Sequence, residues 1–190
     1  MTAAAALEEG AATPLTRLTI PSFLERADRT FHDSSAHGTL HYTLAGAVAK
    51  SSNMGLILTA EKIGADTLHD YLVKFGIGQP SGLGFPGESR GILGSPQTWS
   101  GSQFYTVAFG QGLSVNAVQA ASVYATIANG GVRVTPSLTL GTVAPDGTYT
   151  PAPAPTATRV VSERTARQVS RMLEEVVSEE GTAPMASIPG

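Results

Sequence analysis

Residues 117–128 read AVQAASVYATIA, about three helical turns without one charge, and a helix of that composition has no face suited to water. Its ends are well marked. Asn116 with Gln119 three residues later forms a capping-box pattern, and Asn129-Gly130-Gly131 supplies a stop. Such a helix must be buried inside something larger, so the chain is expected to be one domain or one lobe of a bigger one. Its 190 residues are ample for a core. Charged residues make up 14% against a usual share of about 25%, while hydrophobic residues reach 42% and the net charge is −3. This argues against disorder and against a nucleic-acid partner. The absence of cysteine excludes disulfides, Cys-ligated zinc, iron–sulfur clusters and a thiol nucleophile. Met1–Leu7 has no basic residue and runs into Glu8 and Glu9, so it does not read as a signal peptide. No uninterrupted apolar run approaches about 18 residues. As written, the chain is expected to be a soluble polypeptide without an address. MTAAAALEEG reads instead as the last turns of a helix ending at Gly10, the pattern expected of a chain truncated within an element.

Between Ala11 and Leu40, Pro14, Pro21 and the His-Asp-Ser cluster at 32–37 predict loops with one or two short strands around Leu15–Ile20. Regular helix is expected from near Thr39, with Leu40, Leu44 and Val48 and then Met54, Leu56, Ile57 and Ile63 at helical spacing. Lys50-Ser51-Ser52-Asn53 interrupts it, predicting two helices with a polar junction. Asp66 is expected to cap a further helix stopped by Gly76. From Gly76 to Ser95 glycine and proline dominate, an irregular connection longer than a compact domain usually tolerates without a purpose. Residues 132–143 predict one or two strands, Pro145-Asp146-Gly147 a turn and Pro151–Pro155 a connection. Ser162 is expected to cap a last helix to about Ser178, with Ala166, Val169, Met172 or Leu173, and Val176 on one stripe, before a loop at Ser187-Ile188-Pro189-Gly190.

Gly82-Leu83-Gly84-Phe85-Pro86-Gly87 matches a dinucleotide-binding string, but it follows a helix, contains proline and opens no helix, so it reads as turns. His32, His37 and His41 with Asp33 fit no single helical face, so ordinary loop histidines are favoured over a metal site. No metal or other cofactor is expected. At the polar junction, Ser51 and Asn53 place a hydroxyl and a carboxamide two residues apart, which alone is no more than a helix cap.

Context gives that junction its meaning. TLAGAVAKSSNMG, FGIGQPSGLGFPGE, VAFGQGLSVNAVQAASVYATIANGG with TPSL, and a final helix with GTAPMASIPG occur in one order. In that order the chain resembles the transpeptidase domain of penicillin-binding proteins from about Thr39 to Gly190. TAAAALEEG resembles the helix after that family's nucleophile, and the SSN, FPGE and FGQG segments look most like the monofunctional class B enzymes. The resemblance implies an α+β, partial β-lactamase/transpeptidase-like fold across 1–190. It would be mostly the helical lobe, about 39–131, with a few strands and a C-terminal helix at about 162–178.

The family's chemistry rests on Ser-x-x-Lys, Ser-x-Asn and Lys-Thr-Gly. The resemblance implies a serine that attacks a D-Ala carbonyl of a peptidoglycan stem peptide, or a β-lactam antibiotic, to give an acyl-enzyme resolved by a neighbouring amine. The hydroxyl matching Ser51 bridges two lysines for proton transfer, and the carboxamide matching Asn53 orients substrate and lysine. Ser52 is expected to point away from the site, and Lys50 to be a solvated helix end. The residues three positions before Lys50, Lys62 and Lys74 are Ala47, Thr59 and Tyr71, and no lysine starts Lys-Thr-Gly. Only the middle motif is therefore present, and this polypeptide alone is not expected to acylate. The parent is expected at the outer face of the cytoplasmic membrane, N-terminally anchored, with cell-wall or division proteins as further partners. A non-catalytic scaffold of the same descent and a β-lactamase or β-lactam-sensor relative remain alternatives. The absence of flanking motifs also implies an exposed apolar surface on the isolated chain.

Overall fold

The computed structural model describes residues 1–188. Pro189 and Gly190, the end of the expected terminal loop, lie outside the described residues.

Small side chains decide how the centre is built. Helix α1 (Thr2–Glu8) is buried from Thr2 to Leu7, and its alanines let other helices approach closely. Gly10 turns the chain away in a left-handed conformation (φ 67°). Strand β1 (Arg17–Ile20) pairs antiparallel with β4 (Leu40–Thr43), Arg17 opposite Thr43 and Ile20 opposite Leu40. Between them β2 (Leu24–Arg26) and β3 (Arg29–Phe31) form a hairpin. Three strands thus lie where one or two were expected. Leu40 belongs to β4, so helix begins at Leu44 rather than near Thr39. Pairing with β1 holds Leu40 extended, and the Thr43 hydroxyl, which accepts from the Gly46 amide, then caps α2 (Leu44–Ala49).

The polar junction then opens α3 (Asn53–Ala60), which packs on α1 and buries Met54, Ile57 and Ala60 completely. A Cβ on Gly55 would stand 2.8 Å from that of Ala47, so this glycine sets the close crossing of α2 and α3. Helix α4 (Gly64–Lys74) starts at Gly64 with Asp66 in its first turn, where its charge favours the helix N-terminus. The expected Asp66 cap is therefore corrected: Ile63 is the N-cap residue, without a side-chain bond. After a 3-10 turn at Pro96–Thr98, α5 (Gln103–Ala108) brings Tyr105 and Phe109 against Phe31, with ring centroids 5.7 and 6.1 Å away.

Helix α6 (Ala117–Ala128) has both arms of its capping box: the Gln119 amide donates to Asn116 Oδ1, and the Asn116 amide to Gln119 Oε1, each at 2.8 Å. Within the chain only Gln119, Thr126 and Ile127 of this helix are buried and Tyr124 is 65% exposed, the exposed apolar surface expected of the isolated chain. Its Val123 and Tyr124 line an apolar groove of about 350 Å³ with parts of α1 and α5. Strand β5 (Val132–Val134) pairs with β8 (Ala157–Arg159), and β6 (Gly141–Val143) with β7 (Tyr149–Pro151). Ser162 caps α7 (Glu163–Glu174), whose Ala166, Val169 and Met172 are buried, and a 3-10 turn at Glu175–Val177 extends it. Antiparallel strand pairs around a helical core make the chain α+β.

Glu8 joins the two ends of this core. Its Oε2 accepts from the Ser162 amide at 3.0 Å and the Ser162 hydroxyl at 2.8 Å, tying α1 to the start of α7. Burial pushes the Glu8 carboxyl up, but hydrogen bonds from Thr165 and Ser162, with the nearby Arg159 charge, outweigh it and hold the group below its usual range. The stabilisation is therefore full above the unfolded carboxylate pKa and lost as pH falls through the depressed folded value. Glu8→Gln should lower stability near neutral pH by about 1 kcal/mol, screening included, and weaken the acid-side decline. Urea unfolding of both proteins across acid pH checks this; parallel pH curves would refute it.

Candidate functional site around the Ser-x-Asn turn

The junction between α2 and α3 is a helix stop followed at once by a helix start. The Ser51 amide donates to the Val48 carbonyl at 3.0 Å and the Ser52 amide to the Ala47 carbonyl at 2.8 Å. These are the two bonds of a Schellman ending, which places its next residue in the left-handed region. Glycine usually fills that position; here it is Ser51, at φ 54° and exposed. A side chain there costs about 1–2 kcal/mol. The chain thus keeps a hydroxyl on the outside of a turn where glycine would be more stable.

The second serine does different work. Ser52 is 2% exposed, and its hydroxyl accepts from the Gly55 amide at 2.9 Å as the N-cap of α3. It donates to Asp33 Oδ2 at 2.7 Å, while Asp33 Oδ1 accepts from the Met54 amide at 3.0 Å. His37 Nε2 lies 3.3 Å from the same carboxylate. Asn53 donates through Nδ2 to the His32 carbonyl at 3.1 Å. A carbonyl only accepts, so this contact fixes which end of the carboxamide is nitrogen and leaves Oδ1 and one N–H for other partners. Lys50 ends α2 exposed, its ammonium donating to the Glu180 carbonyl.

Ser51 and Asn53 therefore flank one buried cap and belong to one rigid turn. Sequence reasoning weighed Asp33 and His32 only as metal ligands and missed their bonds to the turn. Asp33 lies 19 residues from Ser52 in the chain, and no helical or strand period connects them; only the polar cluster at 32–37 signalled chemistry. The histidines divide: His37 braces Asp33, while His41 sits on β4 with Nδ1 3.3 Å from the Thr19 hydroxyl. Gly82, Gly84 and Gly87 all have positive φ, and Gly87 lies in the turn closed by the Glu88 amide donating to the Phe85 carbonyl; no helix follows directly. A polar cleft of about 400 Å³ opens between Arg29, Ser102 and Gln111, but neither it nor the apolar groove is lined by Ser51 or Asn53.

The fold and the turn together define a class. The family model of the penicillin binding protein transpeptidase domain matches residues 1–190, and the chain belongs to that family. Penicillin-binding protein PbpB of Mycobacterium tuberculosis is 42% identical over 194 residues, covering 99% of this chain and 29% of that protein. Peptidoglycan D,D-transpeptidase FtsI of Escherichia coli is 36% identical over 148 residues, covering 78% and 24%. The crystal structure of penicillin binding protein 3 from Mycobacterium tuberculosis, complexed with aztreonam, superposes with a TM-score of 0.96 at 42% identity, covering 100% of this chain and 44% of that one. The resemblance to class B enzymes is thereby upheld. The chain spans less than a third of the length of these curated relatives. Among the described residues no helix is long and apolar enough to cross a membrane.

Proposed function

We propose that this chain is the Ser-x-Asn portion of a serine-type peptidoglycan D,D-transpeptidase. The observation that carries the reading is Ser51, an exposed hydroxyl held at φ 54° between two capped helices. Strain of this kind persists where a surrounding fold over-determines it, and such positions concentrate at functional sites. In this reading a serine outside these 190 residues attacks the D-Ala carbonyl of a stem peptide, or a β-lactam ring. The bond to the leaving amine breaks as the acyl-enzyme forms, and a neighbouring stem's amine then displaces the enzyme. Ser51 relays the proton between basic groups toward the leaving nitrogen, which needs a small hydroxyl that both donates and accepts. Asn53 offers the substrate backbone its remaining N–H and Oδ1, with its orientation set by the His32 carbonyl.

The names of its relatives support the substrate class, since several are called peptidoglycan D,D-transpeptidases, and solved relatives hold aztreonam and ampicillin. The helical lobe is assigned to about 39–131 and the C-terminal helical segment to about 162–178. We place the parent protein at the outer face of the cytoplasmic membrane through an anchor outside these residues, among cell-wall or division proteins. Labelled penicillin added to the natural gene product should leave a long-lived covalent adduct. Rapid turnover of the label would favour a β-lactamase or sensor, and no adduct a non-catalytic scaffold; either would overturn the transpeptidase reading.

A further inference from the structure

We propose that Asp33 is a positioning residue for the Ser-x-Asn turn, the centre of a clamp formed by residues 32–37 that sets where Ser51 and Asn53 sit. The inference rests on the roles given to Ser51 and Asn53 above. The carboxylate stands at the N-terminus of α3 with its side chain 11% exposed, and His37 beside it is 14% exposed. A carboxylate so buried needs hydrogen-bond partners, and it has them on both oxygens: the Met54 amide on Oδ1, the Ser52 hydroxyl and His37 on Oδ2. The preceding residue supplies the carbonyl that holds the Asn53 side chain. Two neighbouring residues of one loop therefore grip three consecutive residues of the turn.

This grip explains the doubled serine. Ser52 spends its hydroxyl inward, donating to Asp33 and accepting from Gly55, so the next hydroxyl outward, on Ser51, stays available. Without the carboxylate, Ser52 loses the acceptor that orients its proton, and the Met54 amide loses its partner at the first turn of α3. Ser51 and Asn53 keep their side chains but lose their fixed positions. Groups that orient catalytic side chains typically contribute about 10–100-fold through geometry alone.

The test uses the natural gene product and a fluorescent penicillin, resolving the saturating acylation rate from the half-saturating concentration. Asp33→Ala should slow the saturating rate by about 10–100-fold with the half-saturating concentration little changed, and Asp33→Asn, which keeps an acceptor for Met54, should fall between. Ser162→Ala, a comparable loss of a helix cap at α7, should not slow acylation, which separates position from stability. Hydrogen exchange at the Met54 amide should quicken in Asp33→Ala. Where Asp33→Ala fails to fold, the comparison of Asp33→Asn with the parent decides. If the parent forms its adduct and Asp33→Asn matches its rate and its Met54 exchange, the positioning role is overturned. If the parent forms no adduct, the transpeptidase reading itself fails.

Discussion

Replacing Ser51 by alanine in the natural gene product should slow covalent labelling by penicillin by about 10²–10⁴-fold, the usual scale for losing a positioned proton-transfer group. The fold should survive, because the turn is held by backbone bonds from Ser51 and Ser52 that the substitution leaves alone. Ser51→Gly separates the hydroxyl from the strain. It also removes the hydroxyl proposed as the proton relay, but it relieves the left-handed conformation at φ 54° and should be about 1 kcal/mol more stable than Ser51→Ala. An inactive glycine variant that melts higher than the alanine variant is the expected pair of results. Labelling at the parental rate in both variants would remove Ser51 from the mechanism.

Gln119→Leu should cost about 2–4 kcal/mol and release the glycine-rich connection at 76–91. Gln119 is 2% exposed, yet its Nε2 lies within hydrogen-bond distance of three carbonyls: Gly76 at 3.2 Å, Gln79 at 2.8 Å and Arg90 at 2.9 Å. Two protons serve three acceptors, so one bond is shared. Its Oε1 is the second arm of the capping box and accepts from Asn116. Leucine fills the space but leaves three carbonyls and an N–H without partners. Glu88 reinforces the same arrangement: its carboxylate accepts from Ser81 and Asn116, and hydrogen bonds from Ser81 above all hold it below its usual range. Limited proteolysis should cut Gln119→Leu within 77–90 well before the parent. Equal cleavage and equal unfolding midpoints would show that Gln119 does not hold the connection.

What could be read from the chain follows the range of the interactions involved. The Asn116–Gln119 box, the Ser162 cap and the buried stripe of α7 are short-range patterns within one helix. Where a local rule met tertiary competition it gave way. Leu40 has helical spacing to Leu44, but pairing with Ile20 makes it a strand residue. Asp66 is a good cap by type, but α4 begins two residues earlier, at Gly64. The apolar composition of α6 marks a face that this chain alone leaves exposed, because composition reports what a helix needs and not what stands beside it.

The site divides in the same way. The sequence by itself determined that Ser51 and Asn53 lie together at a helix junction and which family's motif they match, since residues two apart in one turn share a place by covalent connection. Only the tertiary structure decided what the Ser52 hydroxyl bonds to, that Ser51 is held left-handed, and that Asp33 and the His32 carbonyl grip the turn from 19 and 21 residues away. Bonds that long in sequence exist only where β1 and the loop at 32–37 lie beside α3. Their geometry belongs to packing and has no local periodicity in the chain.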